Sequence, residues 1–481
     1  MPGQAIAAND VTARALKLYE KHYYEEAARL LRPELAKMES SRQAAASLAL
    51  GMIYLGSANV YGELHKTALL VELDYLTQLS RQKTGASSRF ADFYLGQTLL
   101  EAGRPKEAVT HLQRYANKVG ARSPFKPFAD IELGIAYSRQ KQEQKAKQVW
   151  SKQDLSKPEI KAALAGAYAA VGAQGNKPVA MADEALRAAK LQRYTPSTRM
   201  VRNLLRAYSM GGAPDKALDL LNASELKEAS YIEDIGSSKT IRFYDSSLLQ
   251  DMARTHLYAA VQYLERASSD AKLGSTANYY LADAYLQQGN TELALRADAN
   301  ILAQTQMPAQ YSDRTRIHQA GVDYTAGHRK EAGLAWQSLA EKFSADPALL
   351  AAVMQACAQA AADCTKIEKL ALAAVEQGEG KKFFQLNAAL GKYYLLQKDY
   401  PKALLYMEAG RDKAYKNKIE VNEPEMLIGL AEAYYRNKKF SENLEIYFEI
   451  AKQYPVVRQI QEAMQGIYSM EQNSAGDVKI F

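Results

Sequence analysis

Apolar residues return along this chain at helical spacing, and one short pattern recurs within that spacing: Leu, then Gly or Ala, two free positions, then Tyr. It stands at Leu50-Gly51 to Tyr54, Leu133-Gly134 to Tyr137, Leu164-Ala165 to Tyr168, Leu281-Ala282 to Tyr285, Leu390-Gly391 to Tyr394 and Leu430-Ala431 to Tyr434. Variants occur at Leu95-Gly96 to Leu99, Leu204-Leu205 to Tyr208 and Ala320-Gly321 to Tyr324. Residues at i, i+1 and i+4 share one side of a helix, so Leu and Tyr supply bulk while the small residue admits a second helix. That second helix carries its own small residue twelve positions on, as Ala108, Ala146, Ala217, Ala294 and Ala403, with Ala332 at eleven and Asn443 standing in the last unit. Between the two lie turn signals such as Ala102-Gly103-Arg104-Pro105, Gly211-Gly212-Ala213-Pro214 and Gln288-Gly289-Asn290. Each unit therefore reads as helix, turn, helix.

Two gaps between anchors, from 205 to 282 and from 321 to 391, are close to double length. Further units fit there: an apolar helix around Leu248 to Ala267, and the pair Pro347 to Ala360 and Thr365 to Val375. A first unit is anchored at Ala15, which gives a mean period of about 38 residues. The units at Gly51 and Ala165 hold extra residues before their second alanines, Ala68 and Ala182.

The chain resembles the tetratricopeptide repeat family, with Tyr94-Leu95-Gly96-Gln97-Thr98-Leu99-Leu100-Glu101-Ala102-Gly103-Arg104-Pro105-Lys106-Glu107-Ala108 a close match and Pro455 a late proline after the unit at Ala431. Unit lengths wander from that family's, and neither Trp sits at its usual Trp position. The resemblance implies an all-α fold, an α-solenoid wound as a right-handed superhelix of about twelve hairpins. A counting of about three globular domains from length is thereby replaced.

The expected organisation is a repeat array over 11–222, an irregular insertion or hinge at 223–247, a second array over 248–455, and a capping helix and tail over 456–481. A cap is needed because the last repeat otherwise leaves an apolar face open. Residues 1–10 read either as a disordered end or as the remnant of a signal peptide, since Pro2-Gly3 followed by Ala5-Ile6-Ala7 resembles a cleavage region. Cys357 and Cys364 are a disulfide candidate. On one helix they would stand about 10.5 Å apart, too far to bond, so a bond needs a turn at Ala361-Ala362-Asp363; two reduced core cysteines are the alternative.

Composition narrows the function more than it names it. The net charge of +7 on 481 residues is too dilute to argue for nucleic acid, and no long uncharged apolar run suggests a membrane span. No metal-binding, phosphate-loop or nucleophile-elbow motif occurs, and the repeats leave no room for a catalytic domain, so the expectation is a non-enzymatic protein with no metal or cofactor. The resemblance also implies that the first helix of each unit lines a concave groove for a partner peptide or helix. Carried over by position, Phe90, Phe93 and Gln97 face it from the unit at Gly96, and Phe128, Ile131 and Ile135 from that at Gly134. From the unit at Leu205 come Arg199, Arg202 and Arg206, one stripe of three guanidinium groups that asks for acidic groups to answer it, from neighbours or from a ligand. The resulting expectation is a protein-binding scaffold in a bacterial cell-envelope assembly, secretion or polysaccharide-export system, periplasmic or outer-membrane-associated. The alternatives are a cytoplasmic adaptor or regulatory subunit and a binder of acidic polysaccharide; the oligomeric state is unknown.

Overall fold

The computed structural model describes residues 10–81, 86–119, 123, 125–172, 176–223, 230–234, 240–244, 246–303, 309–377, 383–416, 424–452 and 454. The readings made for residues 1–9 and for 456–481 lie outside the described residues.

Helices α1 (Val11–Glu20) and α2 (Tyr24–Leu31) form the first hairpin. The chain then runs through one long helix, α3 (Ser40–Arg81). Four hairpins follow: α4 (Ala86–Glu101) with α5 (Pro105–Lys118), α6 (Lys126–Arg139) with α7 (Glu143–Trp150), α8 (Pro158–Ala170) with α9 (Lys177–Leu191), and α10 (Thr198–Met210) with α11 (Pro214–Ala223). Strands β1 (Ser230–Asp234) and β2 (Thr240–Tyr244) pair antiparallel with Ile232 opposite Arg242, and lead into a second long helix, α12 (Ser246–Ser268). Three more hairpins are α13 (Gly274–Gln287) with α14 (Thr291–Leu302), α15 (Ala309–Ala326) with α16 (Arg329–Lys342), and α17 (Pro347–Gln359) with α18 (Thr365–Gln377). The last two are α19 (Phe383–Leu396) with α20 (Tyr400–Lys416), and α21 (Pro424–Arg436) with α22 (Phe440–Ala451). The fold is an all-α solenoid of repeated hairpins, as the pattern of small and bulky residues requires.

The hairpin turns are built alike. The first helix ends on a residue in the left-handed region, Gly103, Gly172, Gly212, Gly289 and Gly327 in five units and His22, Lys141, Ala361, Lys398 and Lys438 in the other five. In five of them the next N–H reaches back to the carbonyl of the motif tyrosine, from Gln142 to Tyr137, Ala213 to Tyr208, Asn290 to Tyr285, Asp399 to Tyr394 and Lys439 to Tyr434, all at 2.8–3.0 Å. This closure satisfies carbonyls that a helix end leaves open. The small anchor residue is needed for contact. A Cβ on Gly134 would stand 2.1 Å from Trp150 Nε1, and one on Gly391 would stand 2.3 Å from Met407 Cγ. Both tryptophans do the same work on second helices: Trp150 donates to Ile131 O at 3.0 Å, and Trp336 to Ile317 O at 3.2 Å.

The tyrosines also explain why Phe is not used in their place. Tyr208 donates to Asp183 at 2.9 Å, Tyr285 to Glu265 at 2.7 Å and Tyr394 to Glu368 at 2.6 Å, each acid lying on the helix that precedes the tyrosine's own hairpin. Tyr434 is held likewise by Glu408. Burial first, and then the carboxylate, push these hydroxyls up, that of Tyr434 to about 12. One ring thus packs within its hairpin while its hydroxyl ties that hairpin to the preceding helix.

Two compact units result. Among the described residues a terminal unit comprises the chain through Ser57 together with Ala260–Ile450, and a central unit comprises Ala58–Ala259 together with the few described residues from Ala451. This differs from the division expected at 223–247, because the boundaries fall inside α3 and α12. The hairpin expected at Gly51 and Ala68 is likewise one unbroken helix: no proline interrupts it, and Gly56 and Gly62 stand within it. Its partner is α12. In the terminal unit Gly51 abuts Leu264, and Tyr54 stacks on Tyr263 at 5.7 Å between ring centroids. In the central unit Tyr61 meets His256 at 5.4 Å, and His65 bonds Ser246 O at 2.9 Å. Among the described residues α3 is the one helix long and apolar enough to cross a membrane, and 78% of its apolar window is buried by the protein itself.

Candidate interaction surfaces

The inner faces of the central unit's first helices carry the residues expected to receive a partner, and they are closed. Phe93, Phe128 and Ile131 are buried and Phe90 is half-buried. Phe90 packs edge-on to Phe125 at 5.5 Å, and Phe93 lies 5.4 Å from Tyr115. These rings are spent within the α4–α5 hairpin and on the hairpin that follows it, as stacked repeats tend to spend apolar faces.

The arginine stripe is buried as well, with Arg199, Arg202 and Arg206 at 9%, 1% and 2% exposure. The expectation that these guanidinium groups meet a partner's acids is corrected here: the acids belong to the same chain. Arg206 pairs with Asp251 of α12 at 2.9 Å and with Glu101 of α4 at 2.8 Å. Arg202 stands 3.6 Å from Glu132 of α6. Arg199 donates to the Tyr94 hydroxyl at 3.1 Å and lies over Phe128 and Phe125, 4.8 and 5.1 Å from their centroids. Arg254 joins from α12, 2.9 Å from Asp251 and 3.6 Å from Glu101. A buried charge is tolerated only when paired, and this network supplies the pairs.

Burial and pairing pull these acids in opposite directions. Burial opposes the Glu101 charge, but Arg206, Arg254 and His65 outweigh it and hold that carboxyl below its ordinary range. For Glu132 burial wins over Arg202 and Arg206, so its carboxyl is raised. Glu72 belongs to the same interior, taking a hydrogen bond from Thr98 at 2.8 Å and one from the Ser246 N–H at 3.1 Å. Sequence reasoning passed over all four carboxylates. The available signal was their placement inside apolar runs, as in Ile131-Glu132-Leu133 and Leu248-Leu249-Gln250-Asp251-Met252.

In the terminal unit Cys357 and Cys364 form a disulfide, with Cα atoms 6.0 Å apart and Ala361 at φ 52° making the intervening turn between α17 and α18. Both residues are buried. No group of three or more His, Cys, Asp or Glu residues among those described is arranged to hold a metal ion. An open cleft of about 520 Å³ beside the α4–α5 turn is lined by Arg104, Lys106, Arg139 and Gln142, but Arg104 is taken by Glu107 and Arg139 by the Leu100 carbonyl.

Charge divides unevenly between the units. Residues 58–259 carry 29 Lys and Arg against 21 Asp and Glu, so the chain's whole excess of +7 lies there. The buried network uses arginines and carboxylates in near-equal number, which leaves the excess on the central unit's surface.

Residues 252–308 match the sequence model of the tetratricopeptide repeat family. No curated protein matches the chain. Among solved structures it is similar to yeast Tom70, at 11% identity, TM-score 0.32 and 97% coverage of each chain. It is also similar to the APC/C hetero-tetramer Cut9-Hcn1, at 13% identity and TM-score 0.28 with 95% of this chain and 90% of that one covered. A third is the TPR domain of P58(IPK), at 15% identity and TM-score 0.19, covering 73% and 99%. At such scores the likeness fixes neither superhelical geometry nor partner. The matched segment holds most of α12 and the α13–α14 hairpin, one copy of a unit that recurs along the chain with the same anchors and turns.

Proposed function

We propose that the protein is a non-enzymatic scaffold that holds a protein partner in a bacterial cell-envelope assembly, secretion or polysaccharide-export system. The observation that carries the scaffold reading is that helical hairpins of one repeat type take up nearly all of the described chain, and that proteins so built commonly work by presenting long faces to other proteins. The envelope reading is supported by the bond between Cys357 and Cys364, since disulfides persist in oxidising compartments. A periplasmic or outer-membrane-associated location is part of the same proposal. The polysaccharide-binding alternative loses its main support, because its arginines face the protein's own carboxylates.

Two measurements test this reading on the full chain from its native organism. Mapping the mature N-terminus and the thiol state by mass spectrometry should give a cleaved start and no free thiol; an intact Met1 with two free thiols moves the protein to the cytoplasm. Cross-linked capture should recover one protein in fixed proportion to the scaffold. Recovery of glycan with no protein would overturn the scaffold reading.

A further inference from the structure

Eight large apolar residues stand exposed among the described residues, and three of them gather on two neighbouring loops of the central unit. Leu155 lies in the α7–α8 loop at 39% exposure; Leu191 ends α9 at 86%, and Tyr194 follows at 38%. The loops are tied together. Gln192 Nε2 donates to Ser156 O at 3.4 Å, and the Tyr194 hydroxyl donates to Glu159 at the start of α8. Arg193, at φ 50°, turns the chain back so that the Tyr194 N–H reaches Ala189 O at 2.8 Å, which leaves Leu191 at the tip.

Cations surround these apolar tips. Lys152, Lys190 and Arg193 are exposed and form no ion pair among the described residues. Two acids share these loops and keep their charge: Asp154 takes the Ser156 hydroxyl at 2.6 Å and its N–H at 3.1 Å, and Glu159 takes the Tyr194 hydroxyl. The patch thus combines exposed apolar side chains with an excess of positive charge, Lys152, Lys157, Lys190 and Arg193 against Asp154 and Glu159, on the unit that holds the chain's basic excess.

We propose that these two loops dock the protein on an anionic lipid surface, Leu191, Leu155 and Tyr194 entering the headgroup boundary while Lys152, Lys190 and Arg193 meet lipid phosphates. A peptide anchor needs a pocket, and Leu191 at 86% exposure has no wall beside it. A protruding leucine flanked by cations matches a surface that is soft, apolar within and negative outside. This goes beyond the scaffold reading and does not depend on it.

Flotation of the full chain with phosphatidylcholine vesicles, with and without about 30% phosphatidylglycerol, tests the proposal. Binding is expected only with the anionic lipid and should fall steeply in about 0.5 M salt. Lys190→Glu with Arg193→Glu should weaken it on the order of tenfold or more, and Leu191→Asp about tenfold. All three positions are exposed, so the variants should keep the wild-type melting curve. Leu334→Asp, at a leucine of the terminal unit 58% exposed, should bind as wild type. No binding to anionic vesicles, equal binding to both vesicle types, or binding unchanged in both patch variants overturns the proposal. So does binding to soluble polyglutamate without binding to vesicles, which assigns the patch to an acidic protein.

Discussion

Glu101, Glu132, Arg202, Arg206 and Asp251 lie inside the central unit, whereas the buried polar groups of the terminal unit are mostly short and neutral, Ser47, Thr315, Asn387 and Asn443 among them, with Asp298 held by His318 at 2.8 Å. The same hairpin repeat builds both. The difference teaches that anchor positions dictate how two helices of a hairpin meet and leave open what fills the space their inner faces enclose. In the central unit that filling is ionic, so its stability depends on every pair being complete. In the terminal unit it is packing, tyrosine hydroxyls and one covalent clip.

The comparison breaks first at Arg206. Arg206→Met leaves Glu101 and Asp251 without their shared cation and should cost about 3–5 kcal/mol. Hydrogen exchange read by peptide should show α4, α10 and the start of α12 losing protection while α13–α22 keep theirs. Equal loss in both units would mean that the network does not belong to one unit alone. Acid should act nearly as strongly. Burial pushes His256 down to about 4 and lowers His65 in the same direction. Folding therefore selects neutral imidazoles: their stability is complete above the unfolded value near 6.5 and drains away as pH falls toward about 4, by about 3 kcal/mol for His256. Glu132, raised by burial, changes in the opposite sense and offsets part of this. A His256→Gln variant should flatten the pH dependence of the central unit's exchange between those limits, and an unflattened profile would assign the acid sensitivity to other groups.

Opening the disulfide sharpens the contrast from the other side. Reduction, or Cys357→Ala with Cys364→Ala, should cost about 2 kcal/mol, given the short loop it closes, and should loosen α17 and α18 without touching the central unit. Tyr394→Phe is the smallest change. It removes one hydroxyl from Glu368, which keeps a second from Tyr393 at 3.2 Å, and should lower the stability of the terminal unit by about 1 kcal/mol in denaturant titration.

Helices, turns and anchors were legible because each rests on local chemistry: a glycine where a Trp or Met must approach, a left-handed residue where the chain reverses. The turn between Cys357 and Cys364 was legible for the same reason, since Ala361-Ala362-Asp363 can break a helix and cap the next. The α3–α12 pair was not. Gly51 and Ala68 fit the hairpin spacing, yet nothing between them ends a helix, and the partner side chains Leu264 and His256 come some two hundred residues later. The arginine stripe was legible as a demand for acids but not as to their source, because Glu101 and Asp251 reach it only through the fold. The cationic leucine tips were missed because they sit outside the repeat period, in connecting segments that anchor matching passes over.

The split course of the terminal unit also sets the order in which a nascent chain can finish folding. Tyr54 leaves the ribosome some two hundred residues before Tyr263, and at about 5–20 residues per second that is roughly 10–40 s of synthesis with its apolar face uncovered. Hairpins α4 to α11 are complete within that interval, so the beginning of the chain finds its place only after the hairpins that follow it, and it is there that a chaperone holding the emerging polypeptide would be needed.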